Sequence, residues 1–254
     1  MSNITSSAQI TDQPLQAEQI SPCIISQKEF DLYQAQWLDL ADTTSPAEFY
    51  QYFCGTNGQQ VPFVSWPVRN IVELVSAPGA KYIKAKFLLK PNSDGELRFT
   101  IVLFAADSLD KRVSSYYLAA DYSDIVAPPV AVLNGKPKQG PSSHNEVANV
   151  LVNHWLQSWA TNEASPTMFN TKYGVLHGYT FNVNDFLSPL FQISTFGEEE
   201  VRLHLALHTY HHTTEAGEDT LAQTLSLAVQ LWSPTGFGWD DLIYDLSAPC
   251  PPTC

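Results

Sequence analysis

Four of the seven histidines in this 254-residue chain lie within one stretch, LHLALHTYHH, at positions 203–212. Imidazole nitrogens bind metal ions and accept protons near neutral pH, so this concentration raises the question of a metal or catalytic site. Leucine at every second position predicts a β-strand whose apolar side faces a core. Residues four apart on one strand face lie about 13 Å apart, so His204 and His208 cannot share a metal ion unless a bulge intervenes.

The histidines nearest the predicted turn, His208, His211 and His212, are the candidate metal ligands of this stretch. An acidic residue of the turn could supply an oxygen ligand: Glu215, Glu218 or Asp219. The competing interpretation, which the spacing favours, is the polar side of a half-buried sheet. The chain contains no nucleotide-binding, serine-hydrolase or zinc-protease motif, so no catalytic residue and no cofactor are predicted.

The overall charge excludes several classes of partner. Thirteen basic residues against 26 acidic ones give a net charge of −13, so the chain lacks the basic surface that binds nucleic acid. No run of about 18 apolar residues is present to cross a membrane, and the first residues are unlike a secretory signal, which together predict a cytoplasmic protein. Charged residues make up only 15% of the chain, which predicts a surface partly covered by a partner or by copies of the chain.

Two segments carry the same signature of an amphipathic helix. Ser26 and Glu29 have the spacing of a capping box, and an apolar stripe at helical spacing follows: Phe30, Tyr33, Trp37 and Leu40. Ser143 and Glu146 repeat the spacing before a second stripe: Val147, Val150, Leu151, Trp155 and Trp159. Each segment is therefore predicted to form a helix whose tryptophans anchor the core.

A predicted β-hairpin lies downstream of each predicted helix. The first contains YIKAKFLLK, whose inward face is Ile83, Ala85, Phe87 and Leu89. The second contains VRLHLALHTY, whose inward face is Val201, Leu203, Leu205 and Leu207. Ile83 and Leu203 are 120 positions apart, and so are the Ser-Pro dipeptides at 45–46 and 165–166. The shared order and spacing predict an internal duplication, and the alternative is a chance likeness between two helix-plus-hairpin segments.

The predicted fold class is α+β, with two tandem related helix-plus-antiparallel-hairpin units in a pseudo-twofold arrangement. The predicted boundaries are a polar arm at 1–23, a first repeat at 24–123, a Pro/Gly-rich linker at 124–142, a second repeat at 143–248 and a Cys-Pro tail at 249–254. A hairpin alone is marginally stable, so the two hairpins are expected to join one sheet or to pack face to face.

The outward side of the two hairpins is the candidate interaction surface. It carries lysines in the first unit, and imidazole and phenol groups in the second. The candidate residues are Lys84, Lys86, Lys90, His204 and Tyr210. In a half-buried antiparallel sheet the side away from the core is polar, so this strip is expected to be solvated or to face a partner.

The last residues, APCPPTC, place Cys250 and Cys254 on either side of two prolines. In an extended polyproline segment their Cα atoms would be about 12 Å apart, whereas a disulfide needs them within about 7 Å. An internal bridge therefore requires a turn. The alternatives are a redox or cross-linking tail, a tail docked on a partner or on the domain itself, and an inert end.

The function predicted from these features is that of a soluble structural or protein-interaction module, which self-associates or binds a protein partner. The alternative is a ligand-binding or metal-binding protein, or an enzyme, with its site at the cleft between the two repeats. The low charge, the aromatic content of 12% and the lack of a catalytic motif favour the interaction module.

Overall fold

The computed structural model describes residues 24–121, 149–171, 174–191, 197–213, 217, 219–233, 243–246 and 248–250. The elements of the first half are β1 (Ile24–Ile25), α1 (Gln27–Thr43), α2 (Pro46–Gln51), β2 (Phe63–Pro67), α3 (Val68–Val75), β3 (Tyr82–Pro91), β4 (Leu97–Ala106) and β5 (Tyr116–Leu118). Those of the second half are α4 (Asn149–Thr161), a 3₁₀ helix (Pro166–Phe169), β6 (Asn170–Thr171), β7 (Gly174–Val175), β8 (Gly178–Asn182), α5 (Val183–Leu190), β9 (Glu200–Thr213), β10 (Asp219–Trp232), β11 (Ile243–Leu246) and β12 (Ala248–Cys250). Helices and antiparallel sheet occur in both halves, which confirms the predicted α+β class.

Helix α1 begins where its capping box predicts. The Ser26 N–H donates to Glu29 Oε2 (2.8 Å), and the Glu29 N–H donates back to Ser26 Oγ (3.3 Å). The Ser26 hydroxyl also donates to Glu29 Oε2 (2.7 Å), and the two hydrogen bonds to this carboxylate, the one from the Ser26 backbone first, hold the pKa of Glu29 below its usual value. Phe30, Trp37 and Leu40 are buried, which confirms the predicted stripe at those positions. The start and the orientation of α1 therefore follow from local sequence.

In α4 the buried stripe differs from the predicted one. Val152, Trp155 and Trp159 are buried, whereas Leu151 is 50% exposed. Spacings of three and four residues align these three side chains on one side, and Leu151 falls outside that side. The capping box predicted at 143–146 lies outside the described residues. In the described part of the chain, no helix is long and apolar enough to cross a membrane.

The strands form two main antiparallel sheets, and each predicted hairpin belongs to a different one. The larger sheet has six strands in the order β1-β5-β4-β3-β8-β12, and the smaller has four in the order β11-β10-β9-β2. The predicted inward faces of both hairpins are buried in one apolar cluster: Ile83, Ala85, Phe87, Leu89, Val201, Leu203, Leu205 and Leu207. The hairpins therefore do not merge into one sheet, but they share one core.

Each half of the chain contributes a short strand to the sheet of the other half. Strand β2 pairs with β9, and β8 pairs with β3. Both short strands lead directly into eight-residue helices, α3 and α5. Two backbone hydrogen bonds of 3.0 Å close these junctions, from Val68 N to Glu199 O and from Val183 N to Lys81 O. The halves are interlocked, because separating them would break both sheets.

Two indole hydrogen bonds cross between the halves in the same reciprocal way. Trp37 Nε1 donates to the Leu176 carbonyl at 3.0 Å, and Trp159 Nε1 donates to the Val61 carbonyl at 2.9 Å. Both indoles are buried, so an unpaired N–H at either position would be costly. Phenyl rings surround Trp37: Phe49, Phe53, Phe87, Phe99 and Phe169. An aromatic core thus joins the two halves.

Gly178 marks the closest backbone approach in the strand exchange. It begins β8 with a φ of 143°, a conformation that favours glycine. A Cβ at this position would overlap the carbonyl oxygen of Ala85 on β3. The pairing of β8 with β3 therefore depends on the absence of a side chain at Gly178.

Candidate functional site

The histidine stretch belongs to one uninterrupted strand, β9. Its pairing with β10 runs from Glu200 to Thr213 without a bulge, so successive side chains point to opposite faces. His208 and His211 consequently lie on opposite faces of the sheet. The strand itself continues to Thr213. Within the described ranges, no three side chains of the metal-binding types come together.

The proposed metal ligands are only partly described. The His212 side chain, Glu215 and Glu218 lie outside the described residues, so a metal site at this turn stays a prediction. His208 has a different contact in the structure: its ring packs edge-on against Trp155 at a centroid distance of 4.9 Å. This contact places His208 at the boundary between the core and the exposed end of the hairpin.

Helix α4 covers the middle of the outer face of β9. Val152 and Trp155 pack against Ala206 of β9 and Ala228 of β10 in a small buried cluster. The two alanines leave room for the indole and the valine side chain above the sheet. The expectation of an open strip along β9 is wrong at this point, because the chain's own helix covers the face.

Arg202 lies nearer to β2 on the same face, between two aromatic rings. Its guanidinium carbon is 4.3 Å from the ring centre of Phe63 and 3.6 Å from that of Trp232. Its Nε is 3.2 Å from a carboxylate oxygen of Glu200. Cation–π contacts on both sides and an adjacent anion hold the side chain in place. Sequence reasoning missed this cluster, since its members come from three strands that are distant in the chain.

His204, a predicted interaction residue, is mostly buried next to this cluster. Its Nε2–H donates to Gln230 Oε1 at 2.6 Å, and its ring centre is 5.3 Å from that of Phe63. Burial, assisted by the charge of Arg202 and opposed by the hydrogen bond to Gln230, lowers the pKa of His204 to about 4. The imidazole is therefore neutral at physiological pH and forms part of the packing.

Lys84 and Lys86, predicted as interaction residues on the first hairpin, are buried, so the expectation of a solvated strip is wrong for both. Lys84 Nζ is 2.5 Å from a carboxylate oxygen of Asp110. Asp110 has a φ of 63°, the left-handed region that few residues other than glycine adopt. The turn after β4 thus supplies the anion for a buried cation. Lys90, near the end of β3, is partly exposed.

Beyond the core, β9 and β10 continue as a two-stranded ribbon, which we define as residues 209–213 and 219–223. Leu207 and Leu225 are fully buried, whereas the exposed fraction reaches 37% at Tyr210 and 69% at Leu221. The strands of this hairpin have 14 residues each, and those of the first hairpin have 10. Five extended residues span about 16 Å, so the ribbon projects well past the core.

The edges of the ribbon pair with no other strand in the described part of the chain. Strand β2 pairs with β9 only at 200–204, and β11 pairs with β10 only at 228–230. Between 205 and 213, β9 contains no lysine, arginine, acidic residue, proline or glycine. Natural proteins protect open strand edges with charges, prolines or bulges. The β9 edge lacks these protections and is suited to pairing with another chain.

The ribbon contains two residues that the sequence analysis singled out, Tyr210 and His211, and one that it did not, Leu221. Tyr210 was among the predicted interaction residues, and its side chain is exposed. Leu221 was missed, although it is the cross-strand partner of the exposed His211 and shares its face. Leu207 pairs with Leu225 in the core, so the pair two steps further along the same face is His211 with Leu221. This register marks Leu221 as an apolar residue beyond the core.

The Cys-Pro tail is described up to Cys250. Strand β12 pairs antiparallel with β8 at the edge of the larger sheet, with Cys250 opposite Gly178. At residues 248–250 the backbone therefore docks on the domain itself, which is one of the alternatives stated for the tail. The Cys250 side chain and Cys254 lie outside the described residues, so a bridge or redox role for them stays a prediction.

The region between the halves is where the alternative function would place a ligand site. In the described residues this region is filled by the aromatic and aliphatic side chains of the core. In the same described residues, no further strand pairs with the ribbon. Comparison of the chain with protein-family models, with curated proteins and with solved structures finds no match.

Proposed function

We propose that this chain is a protein-interaction module. Two related units with exchanged strands form a rigid body, and this body presents the ribbon to a partner, which is another protein or a second copy of the chain. The observation that carries the proposal is the ribbon itself, which leaves the core with Tyr210 and Leu221 exposed and with edges that no described strand covers.

The reciprocal contacts support a relationship between the two units. Val61 and Leu176, whose carbonyls accept the indole hydrogen bonds, are 115 positions apart. Val68 and Val183, whose N–H groups close the strand-to-helix junctions, are also 115 positions apart. Two unrelated segments have no physical reason to repeat both contacts at one separation. Other elements have other separations because the loops differ in length, so a fixed spacing of 120 matches only part of the chain.

The covering helices give independent support. Phe30 of α1 packs in one cluster with Leu88 and Val102 on the outer face of the first hairpin. In the second half, Val152 of α4 packs with Ala206 and Ala228 on the outer face of the second hairpin. In each half the helix also reaches the common core through a tryptophan. The repeated unit is therefore a helix packed on a hairpin, completed by a strand from the other unit.

The clearest difference between the units is the ribbon. The first hairpin ends in a short turn, in which Asn92 Oδ1 accepts hydrogen bonds from Asp94 N and Glu96 N, each at 2.9 Å. The second hairpin continues for four more residues on each strand. A two-stranded ribbon alone in water is marginally stable, so burial against a partner stabilises it. Tyrosine is also enriched at protein–protein interfaces.

The direct test shortens the ribbon with the chain's own turn. Replacing residues 210–222 with NSDGE, the sequence of residues 92–96, keeps the register, because Thr209 pairs with Gln223 as Pro91 pairs with Leu97. We expect this ribbon-graft variant to unfold within a few degrees of the wild type, since the fully buried part of the hairpin is unchanged. In sedimentation velocity from about 10 µM to about 1 mM, we expect the wild type to associate and this variant to remain unassociated.

A pair of single substitutions provides the matched control. Leu221→Thr removes an exposed leucine from the ribbon, and Leu109→Thr removes one that is 73% exposed in the turn after β4. We expect only the first to weaken association, by about tenfold for a well-buried leucine contact. Association that is equal in the wild type and in the ribbon-graft variant would show that the ribbon is not the contact surface.

A further inference from the structure

We propose that the occupant of the ribbon is a second copy of this chain, joined edge to edge through β9 in antiparallel register. This inference rests on the proposed function and identifies the partner. The two β9 strands would meet about a twofold axis between residues 209 and 211. Because the pairing is antiparallel, the same residues contribute from both copies, as an isologous contact requires.

The backbone geometry decides which groups face the open edge. Leu205 N donates to the Pro62 carbonyl at 2.9 Å, so the N–H and C=O of Leu205 point toward the β2 side of the sheet. Backbone groups alternate in direction along a strand, so those of Thr209 and His211 point to the same side. No described strand lies beside them there. These two residues supply up to four hydrogen-bonding groups for an added strand.

The even-numbered residues of the ribbon are occupied by the hairpin ladder. Tyr210 pairs with Ala222, and His212 pairs with Thr220, across the β9–β10 hairpin. Their N–H and C=O groups point toward β10, away from the open edge. A change confined to the N–H of His211 therefore affects an added strand without removing a hydrogen bond from the hairpin.

The chemistry of the edge favours an identical strand. The whole chain carries a net charge of −13, but residues 203–213 contain no acidic residue, lysine or arginine. Two copies thus meet at a segment without formal like-charge repulsion. The ribbon also holds the two bodies apart, because its length of about 16 Å exceeds the Debye length of about 8 Å at physiological ionic strength.

The corresponding edge of the first hairpin is protected. Strand β8 covers the edge of β3 at residues 82–86, and the rest of β3 carries Lys90 and ends in Pro91, which are residues that discourage edge pairing. In the described residues the β9 edge of the ribbon has neither kind of protection. The paired segment is short, so we expect a weak dimer with a dissociation constant of about 10 µM to about 1 mM.

The test uses the full chain and two substitutions at one position. His211→Pro removes the N–H that faces the open edge, and His211→Thr changes the side chain but keeps the N–H. We expect His211→Pro to weaken dimerisation by at least about tenfold in sedimentation velocity, and His211→Thr to change it by less than about threefold. Thermal unfolding of both variants shows whether each is folded.

Hydrogen exchange on the wild type gives a reading that needs no variant. On raising the concentration from about 10 µM to about 1 mM, the amides of Thr209 and His211 should exchange more slowly, by about tenfold. The amide of Tyr210, which already faces β10, should change much less. Equal slowing at all three amides, or at none of them, would overturn the edge pairing.

The outcomes separate this inference from the proposed function. A dimer that the ribbon graft abolishes and His211→Pro leaves intact overturns edge pairing, but keeps the ribbon as the contact surface through its side chains. A dimer that neither change weakens overturns both. A wild-type chain that stays monomeric at about 1 mM overturns the second copy as occupant, and leaves the ribbon to a different protein.

Discussion

His204 makes the stability of this chain depend on pH in a defined direction. Its pKa is lowered to about 4 in the folded chain, mainly by burial, whereas histidine in an unfolded chain has a pKa of about 6.5. Between these values the unfolded chain binds a proton that the folded chain does not. The free energy of unfolding therefore falls as the pH falls. The contribution of neutral His204 is fully present above about pH 6.5 and is lost by about pH 4.

The size of the effect follows from the same two values. One pKa unit corresponds to about 1.4 kcal/mol, so the interval between about 4 and about 6.5 corresponds to about 3 kcal/mol at most. His204 keeps a small exposed area, so the measured effect should be nearer to about 2 kcal/mol. The hydrogen bond to Gln230, at 2.6 Å, favours the protonated imidazole. Burial and the charge of Arg202 disfavour protonation and together outweigh it.

The assay is urea unfolding of the wild type and of His204→Gln at pH 7.5, 6.5, 5.5 and 4.5. The difference in unfolding free energy between the wild type and His204→Gln should shift against the wild type by about 2 kcal/mol between the first and the last pH. Burial and the charge of Lys86 also lower the pKa of His177, but this contribution is common to both proteins and cancels in the difference. His154→Gln, which removes an exposed imidazole from α4, is the matched control. A difference between wild type and His204→Gln that is constant over this range would refute the reasoning.

Three further predictions test other parts of the structure. Asp110→Asn should cost about 1–2 kcal/mol in urea unfolding, because it leaves buried Lys84 without its anion, and adding Lys84→Met should recover most of the loss; no recovery would mean that the pair is unimportant. Gly178→Ala should cost more than about 3 kcal/mol or prevent folding, whereas Gly95→Ala, at a positive φ in open space, should cost about 1 kcal/mol; equal costs would contradict the close approach at β8. Cutting the chain within 124–142 should give halves that are unfolded alone and that co-purify with native circular dichroism when co-expressed, because each half completes the sheet of the other; independent folding of either half would contradict the exchange.

The parts of the fold that sequence alone predicts are those set by near neighbours. The capping box at Ser26 acts over three residues, and it correctly starts α1. Alternation along β3 and β9 correctly assigns the inward residues of both hairpins. Hydrogen bonding and burial within one turn or one strand leave few alternatives for such segments.

The parts that sequence alone does not predict depend on distant contacts. Lys84 reads as a surface residue, and only the turn that carries Asp110 makes its burial possible. One of the two aromatic contacts of Arg202 comes from Phe63 of β2, and β2 lies beside β9 only because the halves exchange strands. The ribbon exists because the second hairpin is longer than the first. Alternation of apolar and polar residues predicts both hairpins, but it does not show where their strands end. The proposed contact surface therefore lies at the exposed end of the histidine stretch and overlaps the positions considered for metal binding, His211 and His212.

The exchange of short strands also has a consequence for the order of folding during synthesis. Strand β2 leaves the ribosome long before its partner β9, and β3 is complete long before β8 exists to cover its edge. Until β8 is synthesised the edge of β3 is unpaired, and lysines on an unpaired edge discourage pairing with other chains. Strand β9 emerges when β2 is already present, so a partner for its edge at residues 200–204 is available as soon as it is synthesised. The lysines of β3 thus lie on the strand whose partner is synthesised later.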